Sequence, residues 1–173
     1  MTTYKLKEKI TKNLQKNRFA NFMENIIGSN FKRFFIAPMY FPESSDFIKN
    51  IIEIRKNDSL WNEKFLPINQ DEAYEKLRKL LLPLSTESTL LCLLPNFSIM
   101  DGMAISDFPV IEINGEGVKY FNEEIFHKFD FLHVFLCATP DLRRGIFFDV
   151  CAGDPEISGS DAPIYNFYVW GND

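Results

Sequence analysis

The chain has 173 residues, of which 46% are hydrophobic and 25% are charged, and its formal net charge is −5 at pH 7. This length suits one well-buried core, so we expect a single domain over residues 1–173. No stretch approaches the about 20 consecutive apolar residues of a membrane helix, and the N-terminus lacks the apolar core of a signal peptide, which favours a cytoplasmic protein without a membrane partner.

Charge is distributed unevenly along the chain. Residues 1–58 carry 11 Lys/Arg against 6 Asp/Glu, whereas residues 96–173 carry 4 against 13. An acidic surface repels the phosphates of nucleic acid and attracts basic proteins. The second half therefore argues against a nucleic-acid partner and favours a basic protein partner. The alternative is a solvated acidic surface that maintains solubility.

A helical pattern occurs near the start of the chain. Leu6, Ile10 and Leu14 recur at helical spacing, as do the apolar residues of segment 22–27, and Gly28 supplies a left-handed stop. The pattern predicts one interrupted helix or two short ones.

Two more helices are predicted before residue 86. One begins at a cap on Ser45 or Asp46 and reaches about Lys56, and the other begins with a capping box at Asn69 and ends before Pro83. Segment 34–37, just before a proline, is either a strand or a loop plug. Segment 57–70 has no clean period, which indicates an ordered connection that could serve as a lid or contact loop.

From residue 87 onward the pattern changes to strands. The apolar runs Thr89–Leu94 and Val110–Ile113 predict two of them. Three more are expected to form an antiparallel meander, because their connections are too short for a parallel crossover; they are Phe131–Thr139, Gly145–Ala152 and Pro163–Trp170. The first of these is apolar on both alternating faces and is expected to be covered on both sides.

The order of these elements predicts an α+β fold, with N-terminal helices packed on a mainly antiparallel C-terminal β-sheet. Residues 1–86 are expected to be mainly helical and residues 87–173 mainly β-sheet. The glycine motif Asn114-Gly-Glu-Gly117 lacks the third glycine of a dinucleotide fingerprint and is interpreted as a tight turn. A short helix is expected over Lys119–Lys128.

Residues that carry chemistry are few. His127, His133 and Cys137 fit no standard zinc spacing, and no nucleophile motif accompanies the histidines. The cysteines Cys92, Cys137 and Cys151 lie in apolar runs, and their odd number argues against a closed disulfide framework. We therefore expect buried, reduced thiols, no metal, no cofactor and no enzymatic activity.

The last part of the chain carries a family resemblance. In FFDVCAGDPEISGSDAPIYNFYVWGND an aromatic-rich strand reaches Asp149, a polar loop with Gly153-Asp154 follows, and Pro163-Ile164-Tyr165 begins a strand that ends at Trp170. This order resembles the C-terminal half of the SUKH superfamily, many of whose members are bacterial immunity proteins. More broadly, a small, acidic, Phe-rich chain is similar to immunity proteins of contact-dependent inhibition and other polymorphic toxin systems.

The resemblance implies a cytosolic protein that binds one cognate toxin domain and blocks its active site. A nuclease toxin has a basic substrate cleft, which an acidic, aromatic-rich surface would match. A small enzyme or ligand-binding domain of unassigned type is the alternative function, and a structural or regulatory adaptor is a third. The residues predicted to contact the toxin are Asp141, Asp149, Asp154, Glu156, Asp161, Tyr165, Tyr168 and Trp170.

Overall fold

The computed structural model describes residues 3–25, 33–56, 61–65, 70–93, 109–125, 134–151 and 163–171. These residues form a seven-stranded sheet with helices on both faces. The α-helices are α1 (Thr3–Asn25), α2 (Glu43–Arg55), α3 (Gln70–Leu81) and α4 (Gly115–Tyr120), and a 3-10 helix (Leu82–Thr86) and a π-helix (Phe121–Ile125) continue α3 and α4. The strands are β1 (Phe35–Met39), β2 (Trp61–Phe65), β3 (Leu90–Leu93), β4 (Val110–Ile113), β5 (Val134–Ala138), β6 (Gly145–Cys151) and β7 (Ile164–Trp170).

The strands follow the order β1-β4-β3-β5-β6-β7-β2 across the sheet, and every neighbouring pair is antiparallel. The predicted α+β class is confirmed. The predicted meander is present as β5, β6 and β7, in which Phe148 is paired with Phe135 on one side and with Phe167 on the other. Residues 131–133 and 152 of the predicted strands lie outside the described part of the chain.

Both edges of the described sheet come from the first half of the chain. β1 pairs with β4, and β2 pairs with β7, from Trp61 opposite Val169 to Phe65 opposite Tyr165. Segment 57–70, interpreted from the sequence as a connection, therefore contains a strand. Its sequence WNEKF holds three polar residues in succession, so no apolar alternation marks it, and pairing with β7 defines it.

One face of the sheet packs against α3 and is called here the α3 face. The apolar stripe of α3, which includes Ala73, Leu77 and Leu81, has 0% exposure, as its helical spacing predicts. The strand residues of this face are Leu90, Cys92, Ile111, Ile113, Phe135, Cys137, Ile146, Phe148, Tyr165, Phe167 and Val169.

The opposite face packs against α2 and is called the α2 face. Its strand residues include Leu136 and Ala138 of β5, whereas Phe135 and Cys137 of the same strand belong to the α3 face. All four have 0% exposure. The prediction that this strand is covered on both sides is therefore confirmed for its described residues.

Two helix starts differ from the sequence-based expectation. α2 begins at Glu43, before the predicted cap at Ser45 or Asp46, and has no side-chain cap. The expected tight turn at residues 114–117 is instead the start of α4, because the Asn114 side chain accepts a hydrogen bond from the Gly117 N–H at 3.1 Å. Asparagine is a strong N-cap residue, which explains how the glycine-containing segment enters a helix.

α1 is one continuous helix of 23 residues. It therefore corresponds to neither an interrupted helix nor two short ones over the described residues, and Gly28, the predicted stop, lies outside them. None of the described helices combines the length and the apolar character needed to cross a bilayer.

Candidate functional site

Three of the residues predicted to contact a partner lie in the interior. Tyr165 is 3% exposed, Trp170 is 7% exposed and Asp149 is 9% exposed. The pKa of Tyr165 is raised by burial, which disfavours the phenolate. The structure thus corrects the expectation that these side chains form an open contact surface. Their aromatic and strand-forming character, which suggested contact, is used for core packing.

Trp170 and Asp149 each have a definite structural partner. The indole N–H of Trp170 donates to the backbone oxygen of Leu142 at 2.9 Å, which fastens the β5–β6 turn to the end of β7. Asp149 lies opposite Asn166 in the β6–β7 ladder and accepts a hydrogen bond from its side-chain amide at 2.6 Å. A buried carboxylate needs such donors to offset its desolvation.

The remaining predicted contact residues differ in position. Tyr168 is partly buried, and its ring meets that of Phe147 edge-on at 5.8 Å. Asp154, Glu156 and Asp161 lie outside the described residues. Among the predicted contact acids, Asp141 is therefore the one that the structure places at the surface.

Asp141 lies in the β5–β6 turn and forms an ion pair with the exposed Arg143 guanidinium. Hydrogen bonds from Thr139 and Arg143 lower its pKa to about 2. The same carboxylate raises the pKa of Arg143. Arg144, the next residue, pairs with Glu87 at 2.9 Å. The described part of this turn is thus a set of paired charges rather than an uncompensated acidic patch.

A different surface stands out on α1. Leu6, Ile10 and Leu14 are 50%, 51% and 46% exposed, and their i, i+4, i+8 spacing places them in one stripe. Lys7 and Lys9 border this stripe and form no ion pair with any described residue. These five residues are called here the outer face of α1. They combine exposed apolar area with positive charge.

The opposite side of α1 holds the helix on the body of the protein. Gln15 follows Leu6 by nine positions and Phe19 follows Ile10 by nine, which at about 100° per residue turns them to the other side of the helix. Gln15 has 0% exposure. Its amide donates to the Ser44 hydroxyl at 3.1 Å and accepts from the Phe41 N–H at 2.6 Å.

Aromatic contacts complete this attachment. The ring of Phe19 stacks on that of Phe35 at 5.3 Å and meets Tyr40 edge-on at 6.4 Å. The Lys16 ammonium lies 6.0 Å from the Tyr40 ring centroid. Since α1 is attached through Gln15 and Phe19, its apolar stripe is directed away from the sheet.

A groove of about 360 Å³ lies beside α1. Its charged lining residues are Lys12 of α1, Glu43 at the start of α2 and Glu112 in β4. Burial raises the pKa of Tyr40, another lining residue, so its hydroxyl remains protonated at neutral pH. The remaining lining residues are Ala37, Pro38 and Met39. The groove thus offers hydrogen-bonding and charged groups without an activated nucleophile among them.

The predicted absence of a metal site concerns residues that are only partly described. His127 and His133 lie outside the described residues. Within the described part of the chain, no group of three or more His, Cys, Asp or Glu side chains is arranged to hold a metal ion.

Sequence reasoning found the helix of α1 but not the orientation of its apolar stripe. The distribution of residue types around the helix indicates this orientation. A charged or polar residue lies on every side of the stripe, and the face opposite to it carries Gln15 and Phe19 rather than a continuous apolar run. A helix whose apolar residues are few and lie opposite a mixed face is not a standard core-facing helix.

Comparison of this chain with protein-family models, with curated proteins and with solved structures gives no match.

Proposed function

We propose that this protein acts by binding another protein, as an immunity protein that neutralises a toxin domain by covering its active site. The observation that carries the binding function is the outer face of α1. Apolar side chains at i, i+4 and i+8 are the anchors of a helix that docks in an apolar groove. Soluble proteins rarely leave contiguous large apolar side chains exposed unless a partner covers them.

Charge supports a protein partner with an acidic rim around such a groove. α1 carries 6 Lys/Arg against 2 Asp/Glu, and Lys7 and Lys9 have no ion pair among the described residues. Unpaired lysines at the edge of an interface steer association with an acidic surface. The same charges oppose a parallel pairing of two α1 helices, because Lys7 and Lys9 would then lie beside their own copies.

Two features of the second half of the chain support a toxin as the partner. Residues 147–173 resemble the immunity-protein pattern, and residues 96–173 have an excess of 13 acidic over 4 basic residues. The acidic excess suits the basic cleft of a nuclease toxin, while α1 suits an apolar groove elsewhere on the same domain. In this proposal the protein binds the toxin through its acidic residues and the outer face of α1 together.

The experiment measures the affinity for a candidate toxin domain encoded beside this protein. Ile10→Ser with Leu14→Ser should weaken binding at least about tenfold, since truncation of a hot-spot residue at the centre of an interface costs about 2 kcal/mol or more. The matched control is Leu82→Ser, because Leu82 is 56% exposed but lies outside α1. Its affinity should equal that of the wild type. Unchanged affinity in the double variant would remove α1 from the interface, and no binding by the wild type would refute the toxin as partner.

Small-ligand binding in the groove beside α1 is a second candidate function. The observation in its favour is that a lysine, a tyrosine and two glutamates from separate elements line one depression. The excess of carboxylates suits a cationic ligand. A thermal-shift comparison of spermidine with a neutral polyol tests it, and Glu112→Gln should abolish any specific stabilisation by the amine. Equal responses to both compounds would refute this function.

A further inference from the structure

Two cysteines from separate parts of the chain meet in the centre of the sheet. Cys92 of β3 and Cys137 of β5 are directly opposite each other in the antiparallel ladder, and their sulfur atoms lie 2.7 Å apart. Both are free thiols with 0% exposure. Opposite residues of antiparallel strands have Cα atoms about 4.5–5.5 Å apart, within the range of about 4.4–6.8 Å seen in disulfides. The backbone therefore already has the spacing that a disulfide requires.

The cysteine pair lies in the ladder between β3 and β5. In the order β1-β4-β3-β5-β6-β7-β2, the pairing of β3 with β5 joins the strands β1, β4 and β3 to the strands β5, β6, β7 and β2. Among the described residues this ladder pairs Leu91 with Ala138 and Cys92 with Cys137. The β6–β7 ladder, by contrast, extends over the full length of both strands. A covalent bond between the cysteines would reinforce the shortest described junction of the sheet.

We propose that Cys92 and Cys137 are a disulfide modification site, at which oxidation by a peroxide cross-links β3 to β5. In the first step the sulfur of one thiol attacks a peroxide oxygen, the O–O bond breaks, and a sulfenic acid and one water form. In the second step the other thiol attacks the sulfenic sulfur, the S–S bond forms and the S–O bond breaks, releasing a second water. Two thiols are oxidised, and one hydrogen peroxide is reduced to two waters.

Burial controls when this reaction takes place. Desolvation raises the pKa of the Cys92 thiol, so the reactive thiolate is scarce while the strands are closed. Neither sulfur has exposed surface in the closed sheet. Oxidation therefore proceeds through opening of β3 from β5, or before the core closes during folding. Once formed, the bond is protected from reductants by the same burial.

The experiment treats the reduced full-length chain with hydrogen peroxide, then unfolds it in the presence of N-ethylmaleimide and analyses its peptides by mass spectrometry. The expected product is a cross-linked peptide pair that contains Cys92 and Cys137 and lacks two hydrogens. The oxidised protein should unfold at a temperature roughly 5–15 °C higher than the reduced protein, because the bond closes a loop of intermediate length. Dithiothreitol should reverse both changes when it is added to the unfolded protein, which is then refolded.

Cysteine variants assign the bond. Cys151→Ser should retain the cross-link and the thermal shift, whereas Cys92→Ala should lose both. The mass spectrum of the wild type identifies the paired peptides even if a variant does not fold. Full maleimide labelling of Cys92 and Cys137 after oxidation, a cross-link that involves Cys151, or a cross-link without a thermal shift would each overturn the proposal.

Discussion

Gln15 shows how a single polar residue sets the direction in which a helix faces. Its amide joins α1 to Phe41 and Ser44, at the start of α2, and it has 0% exposure. A buried amide that keeps its hydrogen bonds stabilises the structure modestly, but removal of one partner leaves the others unsatisfied. The outward direction of Leu6 on the opposite side therefore depends on this residue.

Gln15→Ala is expected to lower the free energy of unfolding by roughly 1–3 kcal/mol, because the Phe41 N–H and the Ser44 hydroxyl lose an amide partner. Urea denaturation measures the change. Asn17→Ala is the matched control, since Asn17 is an exposed amide on the same helix, and a change within about 0.5 kcal/mol is expected there. Equal stability of the two variants would contradict the anchoring role of Gln15.

Asp141 is expected to stabilise the β5–β6 turn in a pH-dependent manner. Hydrogen bonds from Thr139 and Arg143 lower the pKa of its carboxyl from 3.8 to about 2. A carboxyl whose pKa is lower in the folded state stabilises the fold above the unfolded pKa and loses this effect as the pH falls through the folded pKa. The Asp141→Asn variant should therefore have a lower melting temperature than the wild type at pH 7.

The melting temperatures of the wild type and Asp141→Asn should converge as the pH falls from 3.8 to about 2. Circular dichroism melts over this range measure the difference. A difference that is the same at pH 7 and pH 2 would show that the Asp141 charge does not stabilise the turn.

At the scale of elements, β5 contributes buried side chains to both the α3 face and the α2 face of the sheet. Phe135 has 0% exposure and meets the Phe121 ring edge-on at 6.1 Å. Phe135→Ala should destabilise the protein by roughly 3–5 kcal/mol, because it leaves a cavity on the α3 face. Chemical denaturation measures the change. Ile36→Ala is the control, since Ile36 of β1 is 51% exposed, and an equal loss in both variants would contradict the cavity explanation.

Elements with a strong apolar period were predictable from the sequence. The stripe of α3 and the apolar run of β5 specify burial on one side and on two sides respectively, which the structure confirms. β2 was not predictable, because three polar residues in succession give no strand signal and its partner β7 lies far along the chain. Long-range pairing, rather than local propensity, creates such a strand.

The candidate site was less predictable than the fold. Aromatic residues such as Tyr165 and Trp170 have the composition of both core and interface, and the sequence does not separate the two uses. In the structure both side chains are buried, so both belong to the core. The apolar stripe of α1 is the opposite case. Its helical spacing is evident in the sequence, but the attachment of the helix through Gln15, which directs the stripe outward, is evident only in three dimensions.

At the scale of the whole molecule, opposite charges are carried by opposite ends of the chain. Residues 1–58 have an excess of basic residues and residues 96–173 an excess of acidic ones. If the acidic residues face a basic toxin cleft, charge reversal by Asp154→Lys with Glu156→Lys should slow association and weaken protection without unfolding the protein. The association rate of the wild type should also fall steeply between low and physiological salt.

Stopped-flow binding to the candidate toxin at several salt concentrations measures these rates. The dissociation rate should change less, because apolar anchors determine it. Full protection by the charge-reversed protein would assign the contact to α1 without the acidic segment, whereas a salt-independent association rate would contradict charge steering by either surface.

The placement of β1 and β2 at the two edges of the sheet has a consequence for biosynthesis. A ribosome makes the chain from its N-terminus, so Trp61–Phe65 emerges roughly 100 residues before Ile164–Trp170, the strand that pairs with it. β1 likewise waits for β4. Neither edge strand has a native partner while the intervening segments are translated, and contacts of such high sequence separation form slowly. The nascent chain therefore exposes Trp61–Phe65 without its native partner until Ile164–Trp170 has been made, and an unpaired strand of this kind favours chaperone binding during synthesis.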